Sequence, residues 1–232
     1  MAEFVEFPST MWTAISHARR QGGGALDLLL RKYRPVILAF VRNAGFGPED
    51  AEDVTQEVFL ALVRDDVLAK ADRVRGKFRS LLLAVTRHTI STQRKHDGRI
   101  KRGGGARRVS LEAGGPDGEP LPVETFLADT APDDTFDPLW IQNLVRLGMD
   151  ALETECTKEG TPYYRALAIF TSEGLGYPEI ADRLGVKVGD VKNYIHQARL
   201  RLRSNVLREV QAYSSSRDEY EAEIAALMKY LD

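Results

Sequence analysis

A single cysteine, Cys156, occurs in the 232 residues, which excludes an intramolecular disulfide and any zinc or iron–sulfur site built from several thiolates. No apolar run approaches the roughly 20 residues needed to cross a bilayer, so no membrane insertion is expected. The four histidines, His17, His88, His96 and His196, are scattered without carboxylate or cysteine neighbours at ligand spacing. Neither a metal site nor a catalytic centre is expected from them. A phosphate-cradling glycine loop is missing as well, because Gly103-Gly104-Gly105 has no strand before it. Alternating strand patterns are also absent. The chain therefore reads as a protein with no cofactor and no enzymatic role of its own. The first eight residues carry acids and no basic region, which predicts no secretory leader and a cytoplasmic protein.

What is present is charge, and it is segregated. The formal net charge is only −2. Yet Lys70 to Arg108 holds 13 bases against Asp72 and Asp97, and Glu112 to Asp137 holds eight acids and no base. Arg183 to Arg208 holds seven bases against Asp190, whereas Glu49 to Asp66 holds seven acids against Arg64. Such blocks suit several partners, at least one of them polyanionic. Solvated faces beside a disordered linker fit the same counts.

Hydrophobic period assigns the all-α class. Ser9 or Thr10 can cap a helix through Ala18. Leu26 to Val41 is apolar at helical spacing, with Pro35 expected to kink or divide it. Pro48 opens a helix to Val63, another runs from Lys77 to His96, and four more are expected near 138–153, 161–173, 177–184 and 188–210. Between them, residues 103–138 contain six glycines and five prolines and read as a flexible linker. The organisation is thus two small helical domains, 1–102 and 139–210, followed by a tail, 211–232. In that tail Tyr220, Ile224, Leu227, Met228 and Leu231 share one helical face, with Glu219, Glu221 and Glu223 largely elsewhere. The tail either packs on its own domain or covers a functional helix.

Three helices carry functional signals. On Pro48–Val63, Glu49, Asp50, Asp53 and Glu57 lie opposite the apolar side, and Leu60 projects among the acids beside Asp53, Gln56 and Glu57, which with Asp50 make a candidate protein-docking face. On the basic helix Phe78, Leu81, Leu82, Val85 and Thr89 form the core stripe, leaving Lys77, Ser80, Arg87, His88, Ser91, Arg94 and Lys95 for phosphates and base edges. Third, Ile180, Ala181, Gly185, Val191 and Ile195 have the spacing of a helix-turn-helix. Its presented helix shows Lys187, Lys192, Asn193, His196, Arg199 and Arg203. Asn and Arg suit bidentate base contacts, and Lys suits phosphate.

The residues Tyr33-Arg34-Pro35-Val36, Pro48-Glu49-Asp50-Ala51-Glu52-Asp53-Val54-Thr55-Gln56-Glu57-Val58-Phe59-Leu60 and Phe78-Arg79-Ser80-Leu81-Leu82 resemble region 2 of extracytoplasmic-function (ECF) sigma factors. Glu173 through Arg203 resembles their region 4. The resemblance covers about 25–102 and 140–208. It implies a region 2 helical bundle and a region 4 helix-turn-helix joined by a flexible linker. It implies bacterial RNA polymerase core, through clamp and flap, and promoter DNA as partners, with an anti-sigma factor or other regulator as a further one. Asp50, Asp53, Gln56, Glu57 and Leu60 would dock on the clamp. The basic helix and the loop before it would melt and read the −10 element, and the helix-turn-helix would read the −35 element as duplex. The acidic linker would thread toward the RNA path. The family often has Trp at Leu81, Asn and Asp at His88 and Thr92, a Ser cap at Lys187 and Thr at Asp190. These departures bear on DNA preference and on helix capping, not on the fold. A regulator that binds DNA without polymerase would explain the helix-turn-helix but leave the acidic and basic helices without a role.

Overall fold

Apolar residues recurring at steps of three and four dictate the first helix, α1 (Gly24–Asn43), where Tyr33, Val36, Ile37, Phe40 and Val41 are all buried. The computed structural model describes residues 24–64, 78–101, 133–214 and 216–228. Among these the chain forms eight helices and no strand, the all-α class expected. After α1 come α2 (Pro48–Arg64), α3 (Phe78–Lys101), α4 (Phe136–Glu159), α5 (Tyr163–Ser172), α6 (Tyr177–Leu184), α7 (Val188–Tyr213) and α8 (Arg217–Met228). The helix expected from Ser9 or Thr10 lies outside the described residues, as do Lys77 and most of the linker. Pro35 does not divide α1. Gly45, at φ 94°, turns the chain after α1, and its N–H donates to Arg42 O at 2.9 Å.

Two compact units divide the chain: Met1–Trp140 with Tyr213–Ala222, and Ile141–Ala212 with Glu223–Asp232. Composition places the boundaries at 102 and 139, whereas compactness brings Phe136, Trp140 and Tyr213 into the first unit. The reason is aromatic. Tyr33, Phe78, Phe136, Trp140 and Tyr213 are all fully buried. Trp140 stacks on Tyr33 at 5.1 Å between centroids and meets Tyr213 edge-on at 5.5 Å, while Phe136 meets Phe40 edge-on at 5.3 Å. Each such pair contributes about 0.5–1.5 kcal/mol beyond its area burial.

Within that unit α3 is more deeply set than its wheel suggests. Leu81 through Thr86 are buried without a break, so the first turns are enclosed on all sides and the basic face begins at Arg87. Buried threonines on α2 and α3 bond back to their own helices: Thr55 to Ala51 O at 2.7 Å, Thr86 to Leu82 O at 2.7 Å and Thr89 to Val85 O at 2.9 Å. That satisfies each hydroxyl within its own helix.

The second unit packs Leu152, Cys156, Ala166, Leu167, Ile180, Ala181, Val191, Ile195 and Ala198 into one core. Here α4 and α7 approach closely at Gly148, where a Cβ would come within 2.8 Å of Val206 Cγ2 and 3.0 Å of Leu202 Cδ1. Buried Asn205 donates to Glu155 Oε2 at 3.3 Å, tying the same two helices.

The tail helix α8 is capped by Ser216, whose Oγ accepts the Glu219 N–H at 3.2 Å. Its buried stripe differs from the expected one. Glu219, Glu223 and Leu227 are 8%, 4% and 4% exposed, and Met228 is 37% exposed. Both glutamates make polar or electrostatic contacts, which lets carboxylates stand where apolar residues were expected.

Candidate functional site

The helix-turn-helix is built from two capped helices. The Gly176 N–H donates to Glu179 Oε2 at 2.6 Å, which anchors the start of α6. At the other end Gly185 takes φ 67°, and the Val186 N–H reaches Ala181 O at 3.0 Å, closing the helix with a left-handed residue. The Lys187 N–H then donates to Asp190 Oδ2 at 3.1 Å. The Asp190 side chain, three residues on, therefore supplies the reciprocal half of a capping box, while the Asp190 N–H, which a serine at Lys187 would cap, donates to Lys187 O at 2.9 Å. Ile180 and Ala181 of α6 and Val191 and Ile195 of α7 are buried in one core.

That packing turns the opposite side of α7 outward. Lys192, His196, Arg199 and Arg203 follow at steps of four, three and four, and all are exposed, as are Asn193 beside them and Lys187 before the helix. All six residues singled out from the sequence thus lie at the surface. Several other arginines of this unit pair with carboxylates. Arg183 pairs with Glu173 at 2.5 Å, Arg201 with Glu159 at 2.6 Å and Arg208 with Glu155 at 3.3 Å.

On α2, Asp50, Asp53, Gln56 and Leu60 are exposed, Leu60 at 42%. Glu57 is half-buried, and its Oε2 finds no hydrogen-bond partner among the described residues. Glu52, on the flank, pairs with Arg34 of α1. Four exposed groups and one half-sunk carboxylate therefore make up the acidic face.

On α3 the structure gathers Arg87, Ser91, Arg94 and Lys95, with Phe40, Ala44 and Ile90, around an open cavity of about 450 Å³. Ser80 and His88 are half-buried and do not line it. Burial, with Lys95 adding repulsion, pushes His88 below its usual pKa, so the ring is neutral at pH 7. Arg94 donates to Ala44 O and lies over the Phe46 ring at 5.8 Å.

Two arginines of α3 already hold carboxylates. Arg87 pairs with Asp133 at 2.5 Å and Arg79 with Asp137 at 3.2 Å. Asp133 also accepts the Thr135 and Phe136 N–H groups, each at 2.8 Å. Burial works against its charge, yet the Phe136 N–H, Arg87 and the Thr135 N–H together hold its carboxyl below the usual range. At Asp137 burial prevails over the pull of Arg79 and raises the carboxyl. Sequence reading missed Asp133, which stood unmarked in a run of linker acids. It also missed Phe170, whose ring lies under Arg199 at 5.5 Å.

Two protein families match this chain. The family described as "Sigma-70 region 2" matches residues 29–100, which hold α2 and nearly all of α3. The family described as "Sigma-70, region 4" matches residues 169–202, which hold the helix-turn-helix. The chain is also similar to the ECF RNA polymerase sigma factor SigE of Mycolicibacterium smegmatis, 28% identical over 177 residues, or 76% of this chain. It spans 60% of that relative's length. Two sigma-70 regions in the same order on one chain, each folded as helices, together with a relative matched over three quarters of the chain, support an extracytoplasmic-function sigma factor as what this chain resembles.

Proposed function

We propose that the chain binds bacterial RNA polymerase core in the cytoplasm and directs it to promoters, engaging the −10 element with its first unit and the −35 duplex with its second. The observation that carries this reading is the exposed stripe Lys192, His196, Arg199 and Arg203, with Asn193 beside it, on a helix whose other side, Val191, Ile195 and Ala198, is buried in the core it shares with α6. A helix presented in this way fits a major groove, with its first turns nearest the base edges. Asn193 can bond an adenine edge in bidentate fashion, and Lys192 suits phosphate.

The α2 face supports docking on the polymerase clamp: Asp50, Asp53 and Gln56 are exposed on the helix that also exposes the apolar Leu60. The α3 cavity offers cations and a hydroxyl beside apolar walls, which suits an unstacked base with its phosphate. For Arg87 to contact that phosphate, Asp133 has to release it. The linker within 103–138 is assigned the RNA path, and the second unit the flap. An anti-sigma factor or other regulator would act by covering α2 or the α7 stripe. Bond formation is left to the polymerase.

The test is capture of genomic fragments by purified polymerase core with and without the chain. Enrichment of one promoter class only when both are present is the expected result. Equal enrichment by the chain alone would instead establish a regulator that works without polymerase.

A further inference from the structure

Phe170 lies near the end of α5, outside both helices of the helix-turn-helix, and is only half-buried. Its ring meets that of Tyr177, the first residue of α6, at 5.7 Å and 29°, in a stacked arrangement. The same ring carries the Arg199 guanidinium at 5.5 Å from its centroid. Arg183, Arg201 and Arg208 of this unit end on carboxylates. Arg199 has no carboxylate partner among the described residues.

The difference matters chemically. A carboxylate uses up the N–H donors of an arginine and neutralises its charge, and a phosphate has to displace it. An aromatic face attracts the cation without taking a hydrogen bond, so the N–H fork stays available in the guanidinium plane. It also limits the rotamers of a long side chain, which reduces the entropy lost when the fork is used.

Position decides what the fork meets. The first turns of a recognition helix reach base edges. Lys192, Asn193 and His196 occupy those turns, whereas Arg199 lies about 16 Å along α7 from Val188. At that distance from the tip, a side chain directed toward α5 faces the flank of the groove, where the phosphates run.

We infer that Phe170 is a positioning residue for duplex DNA: its ring, braced by Tyr177, holds Arg199 as a phosphate contact, so that Arg199 sets affinity and register and reads no base. This rests on the duplex-binding role proposed above for α7. It replaces the base-reading role that residue type alone suggests for Arg199.

The test measures binding of the full chain to random-sequence duplex DNA across a salt series, with thermal melting of every variant. Arg199→Gln removes the charge and should take about 0.9 from the slope of log affinity against log salt, the share of one phosphate. Phe170→Leu keeps apolar volume but loses the π face, and should weaken binding about two- to five-fold. Phe170→Tyr, which keeps the face, should bind as the native chain does. In the Arg199→Gln background Phe170→Leu should weaken binding no further, which a merely structural role could not produce. An equal loss from Phe170→Leu in both backgrounds, or no loss in the native one, overturns the inference, as does an unchanged slope for Arg199→Gln. If Lys192→Ala also leaves binding unaltered, or the native chain has no duplex affinity, the duplex-binding role of α7 fails with it.

Discussion

Replacing Asp133 separates two jobs done by one carboxylate. Its Oδ1 accepts the Thr135 and Phe136 N–H groups at the start of α4, and its Oδ2 meets Arg87 at 2.5 Å. Asparagine can keep the first job, since Asn and Asp cap helices about equally well, and alanine keeps neither. The cap is worth about 1 kcal/mol. The ion pair, with Arg87 a third exposed, adds no more than about 1 kcal/mol. Asp133→Asn should therefore destabilise the chain by about 0.5–1 kcal/mol and Asp133→Ala by about 2 kcal/mol, read by urea unfolding at neutral pH. The pH dependence has a definite sign. Because the folded carboxyl lies below its usual pKa of 3.8, its contribution is present above that value and is lost as pH falls through the folded one. The gap between native chain and Asp133→Asn should accordingly close in acid. Equal losses for the two variants, or a gap that does not change with pH, would refute this division of labour.

Asp53→Lys with Leu60→Asp changes two exposed groups on α2; it should abolish co-purification with polymerase core and leave stability within about 0.5 kcal/mol. Gly148→Ala should destabilise the second unit by about 1–3 kcal/mol, measured by thermal melting, because its Cβ would meet Val206 Cγ2 at 2.8 Å. His88 has a lowered folded pKa, so its contribution is complete above the unfolded value of 6.5 and is lost as pH falls below it. Melting curves of His88→Gln should lack that part of the decline in acid. Asp133→Asn should also tighten binding of single-stranded DNA, measured by fluorescence anisotropy, because it removes one negative charge that a phosphate would have to displace from Arg87.

The parts of this protein that repeat at helical period were legible from residues alone. The α2 pattern gave its inner face, Ala51, Val54, Val58 and Leu62, and its outer one, because a surface helix has one apolar stripe. The α6–α7 pair was legible because Ala181, Gly185 and Val191 each answer a local steric demand. Tertiary partners were not. The partner of Arg87 lies 46 residues away in an acidic run where no aspartate stands out. Phe170 fits a core pattern equally well, since periodicity cannot tell a ring that fills space from one that supports a cation. Charge alone puts Glu219 and Glu223 outside, whereas their contacts hold them inside. On α3 the leucine run gave one stripe by the wheel, but enclosure on all sides depends on what packs around it.

Run-off transcription tests the central claim most directly. Purified polymerase core is supplied with captured promoter fragments and with the native chain, the Lys192→Ala/Asn193→Ala variant, or no addition. Defined transcripts with the native chain, none with core alone, and loss of promoter choice with the variant are the expected results. Transcripts of the same pattern from core alone, or from the variant, would contradict it.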